Sequence, residues 1–326
     1  MTTRRDDPVA IGVDVGGTAI KAGLVGADGR VLASDSVATQ VEGGVDHVID
    51  RIAEAANRLR GAAPSFGRRL TAIGLGMPGT LDRRRGLVVA SPNLDAWRNV
   101  PVVERLAERT GAAVVLENDA NCAALGEFVA GAGRECHSMV MITLGTGVGG
   151  GIVLGDRLWH GAQENAGEIG HMIVQAGGRR CGCGQLGCLE AYASATATVA
   201  RMAQLIRQGA ASTLQGIVDR QEELTTEHVV QAVEAGDATA RRVWEETCRY
   251  VAIGCLNLHH LLSPRRIVLA GGMSLAGDTL LDAIRRALDE IASPTMGAPK
   301  DIRLAMLGND AGFIGAALVA LTEGAG

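Results

Sequence analysis

Lysine is almost absent from this chain of 326 residues, in which Lys21 and Lys300 are the only lysines among 31 basic side chains. Neither stands in the Gly-Lys-Ser/Thr context that a P-loop requires, so that kind of phosphate-binding site is excluded. Aromatic residues are also rare, with three Trp, two Tyr and three Phe. The core must therefore be built from Val, Ile, Leu and Ala, and a chain of this length buries enough of them without disulfide or metal staples.

The chain lacks the marks of a nucleic-acid-binding, membrane or exported protein. Its formal net charge is −5, whereas a protein that grips nucleic acid usually presents a basic surface. No apolar run approaches the roughly 18 residues of a membrane span, and residues 1–7 carry charges in place of the apolar segment of a signal peptide. We therefore expect a cytoplasmic protein whose partners include neither nucleic acid nor a membrane.

Glycine is abundant, and three of the seven cysteines are clustered. The 45 glycines follow no Gly-X-Y period, so we expect the excess in turns and loops that need positive φ or let a ligand approach the backbone. Cys181, Cys183 and Cys188 lie close together in the sequence, and in a reducing compartment such clustering favours a metal site over disulfides. The other four cysteines stand among apolar residues, which predicts buried free thiols.

Hydrophobic periodicity predicts a mixed α/β chain with an internal duplication. Strands are expected at residues 9–14, 20–25 and 31–38, with a glycine turn after the first. A strand, a glycine turn and a second strand recur at 138–144 and 151–154, so each half of the chain begins with the same unit. The remaining predicted strands span residues 70–76, 113–116, 266–270 and 302–306, and the predicted helices span residues 44–60, 100–109, 119–129, 195–209, 226–235, 238–262, 275–291 and 311–321.

The glycine turns of these units suggest phosphate binding, but not of the dinucleotide kind. Gly74–Gly79 and Gly145–Gly150 both match Gly-x-Gly-x-x-Gly, yet neither is followed by a predicted helix whose N-terminus would hold a pyrophosphate. Asp14-Val15-Gly16-Gly17-Thr18 and Gly145-Thr146-Gly147 each connect two predicted strands. One such hairpin is ordinary, but two at equivalent places suggest phosphate loops that face each other. Gly271-Gly272, after an apolar strand, would let a planar base approach the backbone.

These hairpins and three further segments together resemble the ROK family, which comprises sugar kinases and sugar-responsive repressors. The further segments are Glu117-Asn118-Asp119-Ala120-Asn121, Gly167-Glu168-Ile169-Gly170-His171 and Cys181-x-Cys183-Gly184-x-x-Gly187-Cys188-x-Glu190. The resemblance extends from about residue 9 to about residue 320, and Ala19, where many members have Lys or Asn, is a small departure. It implies an actin/hexokinase-like (ribonuclease H-like) α/β fold of two duplicated domains with a cleft between them. The small domain would span residues 1–118, with the C-terminal helix 309–326 packed back on it, and the large domain would span residues 119–308.

The resemblance implies an ATP- and Mg2+-dependent kinase that phosphorylates a hexose at the 6-hydroxyl, with glucose as the favoured substrate. Asp119 is then the base that accepts the hydroxyl proton, although from the sequence alone it would be a helix N-cap. The residues implied to bind the sugar are Gly79, Asn118, Asp119, Glu168, His171 and Glu190. Those implied to bind the nucleotide are Asp14, Gly16, Gly17, Thr18, Gly145, Thr146, Gly147, Gly271 and Gly272. A homodimer or homotetramer is expected.

The cysteine cluster predicts structural zinc (Zn2+). His171 joins Cys181, Cys183 and Cys188 to give four nitrogen and sulfur ligands, the kind that zinc prefers, and four protein ligands close its coordination sphere. Residues 171–190 contain little apolar material, so a metal would replace a core there. The alternative is a group of free cysteines.

Several alternatives stay open. Fructose, mannose, N-acetylmannosamine and N-acetylglucosamine are other possible substrates, and polyphosphate is a less favoured phosphate donor. A sugar-responsive repressor would carry a DNA-binding domain ahead of Asp14, where this chain has a short tail. A zinc-ribbon nucleic-acid module would need a second Cys pair and a basic surface. We expect Arg83-Arg84-Arg85 to form a solvated hairpin.

Overall fold

The computed structural model describes residues 8–66, 69–91, 94 and 96–324. Residues 1–7, 67, 68, 92, 93 and 95 of the predicted small domain, and residues 325 and 326 of the predicted C-terminal helix, lie outside the described residues. Among the helices of the described part, none is long and apolar enough to cross a membrane.

The first part of the chain forms a five-stranded mixed sheet and a small three-stranded sheet. In chain order its elements are β1 (Val9–Val15), β2 (Ala19–Gly26), β3 (Val31–Ala38), α1 (Gly44–Ala62), β4 (Leu70–Met77), β5 (Thr80–Asp82), β6 (Leu87–Ala90), β7 (Arg98–Val100), α2 (Val102–Thr110) and β8 (Val114–Asn118). The large sheet has the order β3-β2-β1-β4-β8. In it β1 pairs antiparallel with β2 and parallel with β4, and β4 pairs parallel with β8.

The second part of the chain repeats this arrangement and adds helices. Its elements are α3 (Asp119–Ala130), β9 (Ser138–Leu144), β10 (Val148–Leu154), β11 (Arg157–Leu158), α4 (Glu190–Ala193), α5 (Ala195–Arg207), α6 (Gln215–Asp219), α7 (Thr226–Glu234), α8 (Ala238–Leu262), β12 (Arg266–Ala270), α9 (Asp278–Ile291), β13 (Ile302–Leu304) and α10 (Ala311–Glu323). Its sheet has the order β11-β10-β9-β12-β13, with β9 antiparallel to β10 and parallel to β12. The equivalent strand order and directions in the two sheets confirm the predicted duplicated α/β fold.

The structure departs from the predicted elements most clearly at the small sheet and at the second glycine hairpin, and it also contains the short elements β11, α4 and α6, which the prediction lacks. The small sheet β5-β6-β7 is absent from the prediction because its strands have only three or four residues, too few to show a period. The strand after the second glycine hairpin begins at Val148 rather than at Gly151. The glycines at the start of this strand have a packing role. Side chains of neighbouring elements occupy the space where their Cβ atoms would stand.

Glycines in strands and helices let α10 pack backbone against backbone. All residues of α10 from Ala311 to Ala320 are buried, and the helix contacts β1, β4 and α3. A Cβ atom on Gly12 would lie 1.7 Å from the carbonyl oxygen of Phe313, and one on Gly315 would lie 1.6 Å from that of Cys122. The expectation that the glycine excess belongs to turns and loops is therefore incomplete. The division of the chain at residue 118 stays a prediction.

We expect Gly315→Ala to lower the free energy of unfolding by at least about 3 kcal/mol, because α3 and α10 would have to separate to admit the methyl group. Gly61→Ala is the matched control, since Gly61 lies in α1 with open space around it. That control should be neutral or stabilising by up to about 1 kcal/mol. Urea unfolding measures both changes, and equal midpoints for the two variants would contradict the packing argument.

Candidate active site

A cleft of about 620 Å³ collects most of the predicted sugar-binding residues. Gly79, between β4 and β5, forms part of one wall, and the β8–α3 junction forms another. The long loop between β11 and α4 closes the cleft with Glu168 and His171. Five of the six predicted residues line this cleft: Gly79, Asn118, Asp119, Glu168 and His171.

The β8–α3 junction places Asp119 at the first position of α3. Asn118 is the N-cap, and its Oδ1 accepts hydrogen bonds from the backbone N–H groups of Ala120 (2.9 Å) and Asn121 (3.2 Å). Asp119 is therefore not the N-cap that the sequence without the resemblance would suggest. Because Asn118 caps the helix, the Asp119 carboxylate is left to face the cleft, with one backbone hydrogen bond from Ala120 (2.8 Å).

Two carboxylates of the site have raised pKa values. Burial raises the pKa of Asp119 from 3.8 to about 6, and the charge of Glu168 adds to the rise, while backbone hydrogen bonds oppose it. Burial likewise raises the pKa of Asp14, at the end of β1, to about 7, and the charge of Asp119 contributes. The two carboxylates therefore lie close enough to repel each other. Such a pair suits a site that receives a proton or a divalent cation.

The two glycine hairpins are stabilised by backbone hydrogen bonds. In the first, Gly16 N–H donates to the Ala19 carbonyl (3.0 Å), and Thr39 Oγ1 donates to the Gly16 carbonyl (2.7 Å). In the second, Thr196 Oγ1 donates to the Thr146 carbonyl (2.9 Å).

The second hairpin lies beside a groove of about 1040 Å³. Thr146, α5 and residues 218–226 line this groove. Gly271 has φ +86°, and its Cβ position would lie 2.5 Å from the Leu144 carbonyl oxygen, so it packs on the end of β9. Of the nine predicted nucleotide-binding residues, Thr146 lines the groove, and the other eight line neither the groove nor the cleft: Asp14, Gly16, Gly17, Thr18, Gly145, Gly147, Gly271 and Gly272.

Glu190, the sixth predicted sugar-binding residue, makes its hydrogen bonds outside the cleft lining, and its role in sugar binding stays a prediction. Its Oε2 accepts a hydrogen bond from the backbone N–H of Val148 (2.9 Å), and its Oε1 accepts one from Cys181 Sγ (3.4 Å). Glu190 is not among the residues that line the cleft. Glu190 therefore connects the second glycine hairpin to residues 171–188, the loop that carries the three clustered cysteines and is called the cysteine loop below.

The predicted metal ligands come together. The ligand atoms of His171, Cys181, Cys183 and Cys188 all lie within 4.8 Å of one another. Cys183 Sγ and Cys188 Sγ are 3.7 Å apart, and Cys181 Sγ is 3.8 Å from His171 Nδ1. Sulfur atoms held tetrahedrally at about 2.3 Å from zinc would be separated by about 3.8 Å, so the four residues fit this metal.

Helix α8 anchors the loop that carries these ligands. Buried Tyr192 accepts a hydrogen bond at its hydroxyl from Arg179 N–H (2.7 Å), and the Arg179 guanidinium lies 4.6 Å from the ring centroid of Tyr192. The same guanidinium donates to Glu246 of α8 (2.8 Å), and the ring of Tyr192 packs against Tyr250, also in α8, at 4.0 Å. The loop is therefore held against α8 by polar and aromatic contacts.

Sequence reasoning missed a buried carboxylate beneath the cleft. Glu117 is fully buried, and it pairs with Arg83 (3.0 Å) and His160 (2.8 Å). The prediction of a solvated Arg83-Arg84-Arg85 hairpin is wrong for Arg83, whose side chain is 13% exposed, and right for Arg84 and Arg85. The motif around Asp119 contains Glu117, so this residue could have been considered. No sequence signal points to His160.

Comparisons with known proteins identify the family of the chain. The ROK family model matches residues 10–323, and the chain belongs to the ROK family. It is 39% identical to a glucokinase of Halalkalibacterium halodurans, over 94% of this chain and 92% of that protein. A ROK family glucokinase from Streptomyces griseus, solved with glucose and AMPPNP, superposes with a TM-score of 0.77 at 37% identity, covering 96% of this chain and 99% of that one. The family also includes regulators: a putative xylose repressor of Caldicellulosiruptor is 29% identical over 85% of this chain, which spans 69% of the repressor.

We expect Asp14→Asn to stabilise the protein at pH 8 by about 2–4 kcal/mol and to have almost no effect near pH 4. The folded-state pKa of Asp14 is raised from 3.8 to about 7, so the wild type loses stability as the pH rises through this window and the carboxylate ionises. The unfolding free energies of the two proteins at several pH values measure the effect. Asp289→Asn, on the exposed face of α9, is the control, and a stabilisation independent of pH would contradict the argument.

Proposed function

We propose that this protein phosphorylates a hexose at its 6-hydroxyl with ATP, and that D-glucose is the preferred sugar. The observation that carries the proposal is the cleft in which Asp119 lies with Asn118, Glu168 and His171. Carboxylate, amide and imidazole groups form paired hydrogen bonds with the neighbouring hydroxyls of a sugar. Glucokinases at 36–39% identity support both the reaction and the sugar.

Asp119 is the proposed base of the reaction. Phosphoryl transfer depends mainly on positioning, and one carboxylate must accept the proton of the attacking hydroxyl. With a pKa of about 6, Asp119 is ionised at neutral pH and still basic enough to take that proton. Asn118 uses its Oδ1 as the helix cap, so its Nδ2 is the atom left to donate to a sugar oxygen.

The nucleotide would bind on the other side of Asp119. We assign its phosphates to the hairpins Gly16–Thr18 and Gly145–Gly147, and its base to the groove beside Thr146. Gly271 and Gly272 would let the base approach the backbone, as predicted. Asp14 would hold the Mg2+ of the nucleotide complex, because the ion would offset the repulsion between Asp14 and Asp119. Magnesium supplies charge neutralisation of the phosphates.

A sugar-responsive regulator is the second candidate, favoured by the repressor relative. The raised pKa of Asp119 argues for the kinase, since a protein that only binds sugar has no need of a basic carboxylate in its cleft. The other hexoses remain alternative substrates. A cytoplasmic location and a homodimer or homotetramer stay predictions.

Wild-type protein should form ADP when supplied with ATP, Mg2+ and glucose, and more slowly with mannose, fructose or the N-acetylated hexoses. Asp119→Asn should lower kcat by about 10²–10⁴-fold while leaving the Kd for glucose within about threefold, because Asn keeps the shape but not the basicity. Asp156→Asn, on a remote exposed turn, is the matched control. ADP formation at the wild-type rate by Asp119→Asn would remove Asp119 from its role, and no turnover of any hexose by the wild type would favour the regulator.

We also propose that His171, Cys181, Cys183 and Cys188 hold one structural Zn2+. His171 Nδ1 faces the thiols, and its Nε2 lies 3.9 Å from Glu168 Oε2 at the cleft. Metal held by Nδ1 would therefore fix the ring whose other nitrogen faces the sugar. The ion would shape the sugar site without taking part in the reaction.

Elemental analysis of protein purified without chelator should find about one zinc per chain. Cys183→Ser should lose this metal. The variant should then either fail to fold or fold with a KM for glucose that is raised at least about tenfold. In the folded variant, the KM for ATP should stay within about twofold of the wild-type value. Arg180→Ala, in the same loop and outside the ligand set, is the control. Less than half an equivalent of zinc in active enzyme would contradict the site, and a loss of ATP affinity alone would contradict the link to the sugar.

A further inference from the structure

The carboxylate of Glu117 accepts three hydrogen bonds and forms one ion pair at the floor of the cleft. Its Oε1 accepts from the backbone N–H of Asn118 (2.9 Å) and from Asn121 Nδ2 (3.0 Å). Its Oε2 is 2.8 Å from His160 Nε2 and 3.0 Å from Arg83 Nη2. The side chain of Glu117 is 1% exposed, whereas those of Arg83 and His160 are 13% and 18% exposed, so the carboxylate itself is shielded from water.

The donors to Glu117 come from all three walls of the cleft. Asn118 and Asn121 belong to the β8–α3 junction that carries Asp119. Arg83 follows Gly79 and β5, and its Nε also donates to the Leu116 carbonyl (3.2 Å). His160 begins the loop that ends at Glu168 and His171, and its carbonyl accepts from Ala166 N–H (3.0 Å).

The carboxylate remains charged, which determines the state of His160. Burial by itself raises the pKa of Glu117, but the hydrogen bond from His160 and the charge of Arg83 outweigh it and hold the pKa below its ordinary value. An ionised carboxylate can only accept. His160 Nε2 must therefore carry the proton, and the contact is a charge-assisted hydrogen bond in a dry environment.

We propose that His160 and Glu117 are positioning residues that fix the sugar-binding loop, residues 160–171, against the β8–α3 junction that holds Asp119. This inference rests on the proposed function of the cleft. His160 does not line the cleft, so it acts through Glu117 and through the loop that it begins. Without this hydrogen bond, Glu168 and His171 lose their fixed distance from Asp119, and the sugar site loses its preorganisation.

Three substitutions of His160 separate positioning from general stability. His160→Gln keeps an amide nitrogen near the place of Nε2, whereas His160→Asn is equally polar but too short to reach Glu117. His160→Leu removes the donor. The matched control is His137→Leu, because His137 also pairs with a carboxylate, Asp156 (3.1 Å), but is exposed and remote from the cleft.

We expect His160→Leu and His160→Asn to weaken glucose binding about 10–100-fold, which is the usual loss of one hydrogen bond to a buried charge. His160→Gln should recover most of this affinity, the KM for ATP should stay within about twofold, and His137→Leu should match the wild type. Calorimetric titration with glucose in the absence of ATP gives the Kd, and initial rates give KM and kcat.

Several results would overturn the proposal. They are equal glucose affinity of His160→Asn and His160→Gln, unchanged affinity in all three variants, and an equal rise of both KM values. If His160→Leu does not fold, the comparison between Asn and Gln decides. Wild-type turnover tests the proposed function separately: a chain that binds glucose without forming ADP would refute the kinase proposal, while the Kd values would still test the positioning role.

Discussion

The contact of α10 with α3 and β1, made without intervening side chains, determines where both reactive carboxylates lie. Gly315 meets the backbone of Cys122 in α3, and Gly12 meets the backbone of Phe313. Gly312, one turn before Gly315 in α10, leaves room for the side chain of Asp14. A Cβ atom on Gly312 would lie 2.3 Å from Asp14 Oδ2. Asp14 ends β1, and Asp119 begins α3, so one helix packed at backbone distance sets the separation of the two groups. Larger residues would shift strand and helix together with the site.

Burial has different outcomes for the pKa values of three carboxylates near the cleft: that of Glu117 is lowered, and those of Asp14 and Asp119 are raised. Glu117 has four donors around it, and its pKa lies below the ordinary value. Asp14 has the charge of Lys21 to oppose its burial and the repulsion of Asp119, and its pKa rises to about 7. Surrounding donors make Glu117 a permanent anion that organises the walls, whereas poorly compensated burial makes Asp14 and Asp119 ready to gain a proton or a cation. The poorly compensated burial of Asp14 and Asp119 lowers the stability of the folded protein, a cost that is common at functional sites.

The fold and the identity of the site residues were accessible from the sequence, whereas their detailed contacts were not. Periodicity and the repeated hairpin predict the two sheets, because strand and helix periods are local properties. Motifs predict Asp119, Glu168 and the four candidate metal ligands by residue type. The cap at Asn118, the contacts of Glu190 with Val148 and Cys181, and the Glu117–His160 pair depend on which atoms meet after folding. Local sequence carries no record of such pairs when their members stand 43 residues apart.

The cysteine loop is held only in part by the hydrophobic core. Met172 and Val174 pack against the core, but Ile173 and Leu186 are largely exposed. Further support comes from the cluster of His171 with the three cysteines and from the contacts of Arg179 with Tyr192 and Glu246. His171 belongs to the ligand cluster and to the cleft at once. An interaction that orders the cluster therefore also fixes the imidazole in the cleft, which joins the stability of the loop to the shape of the cleft.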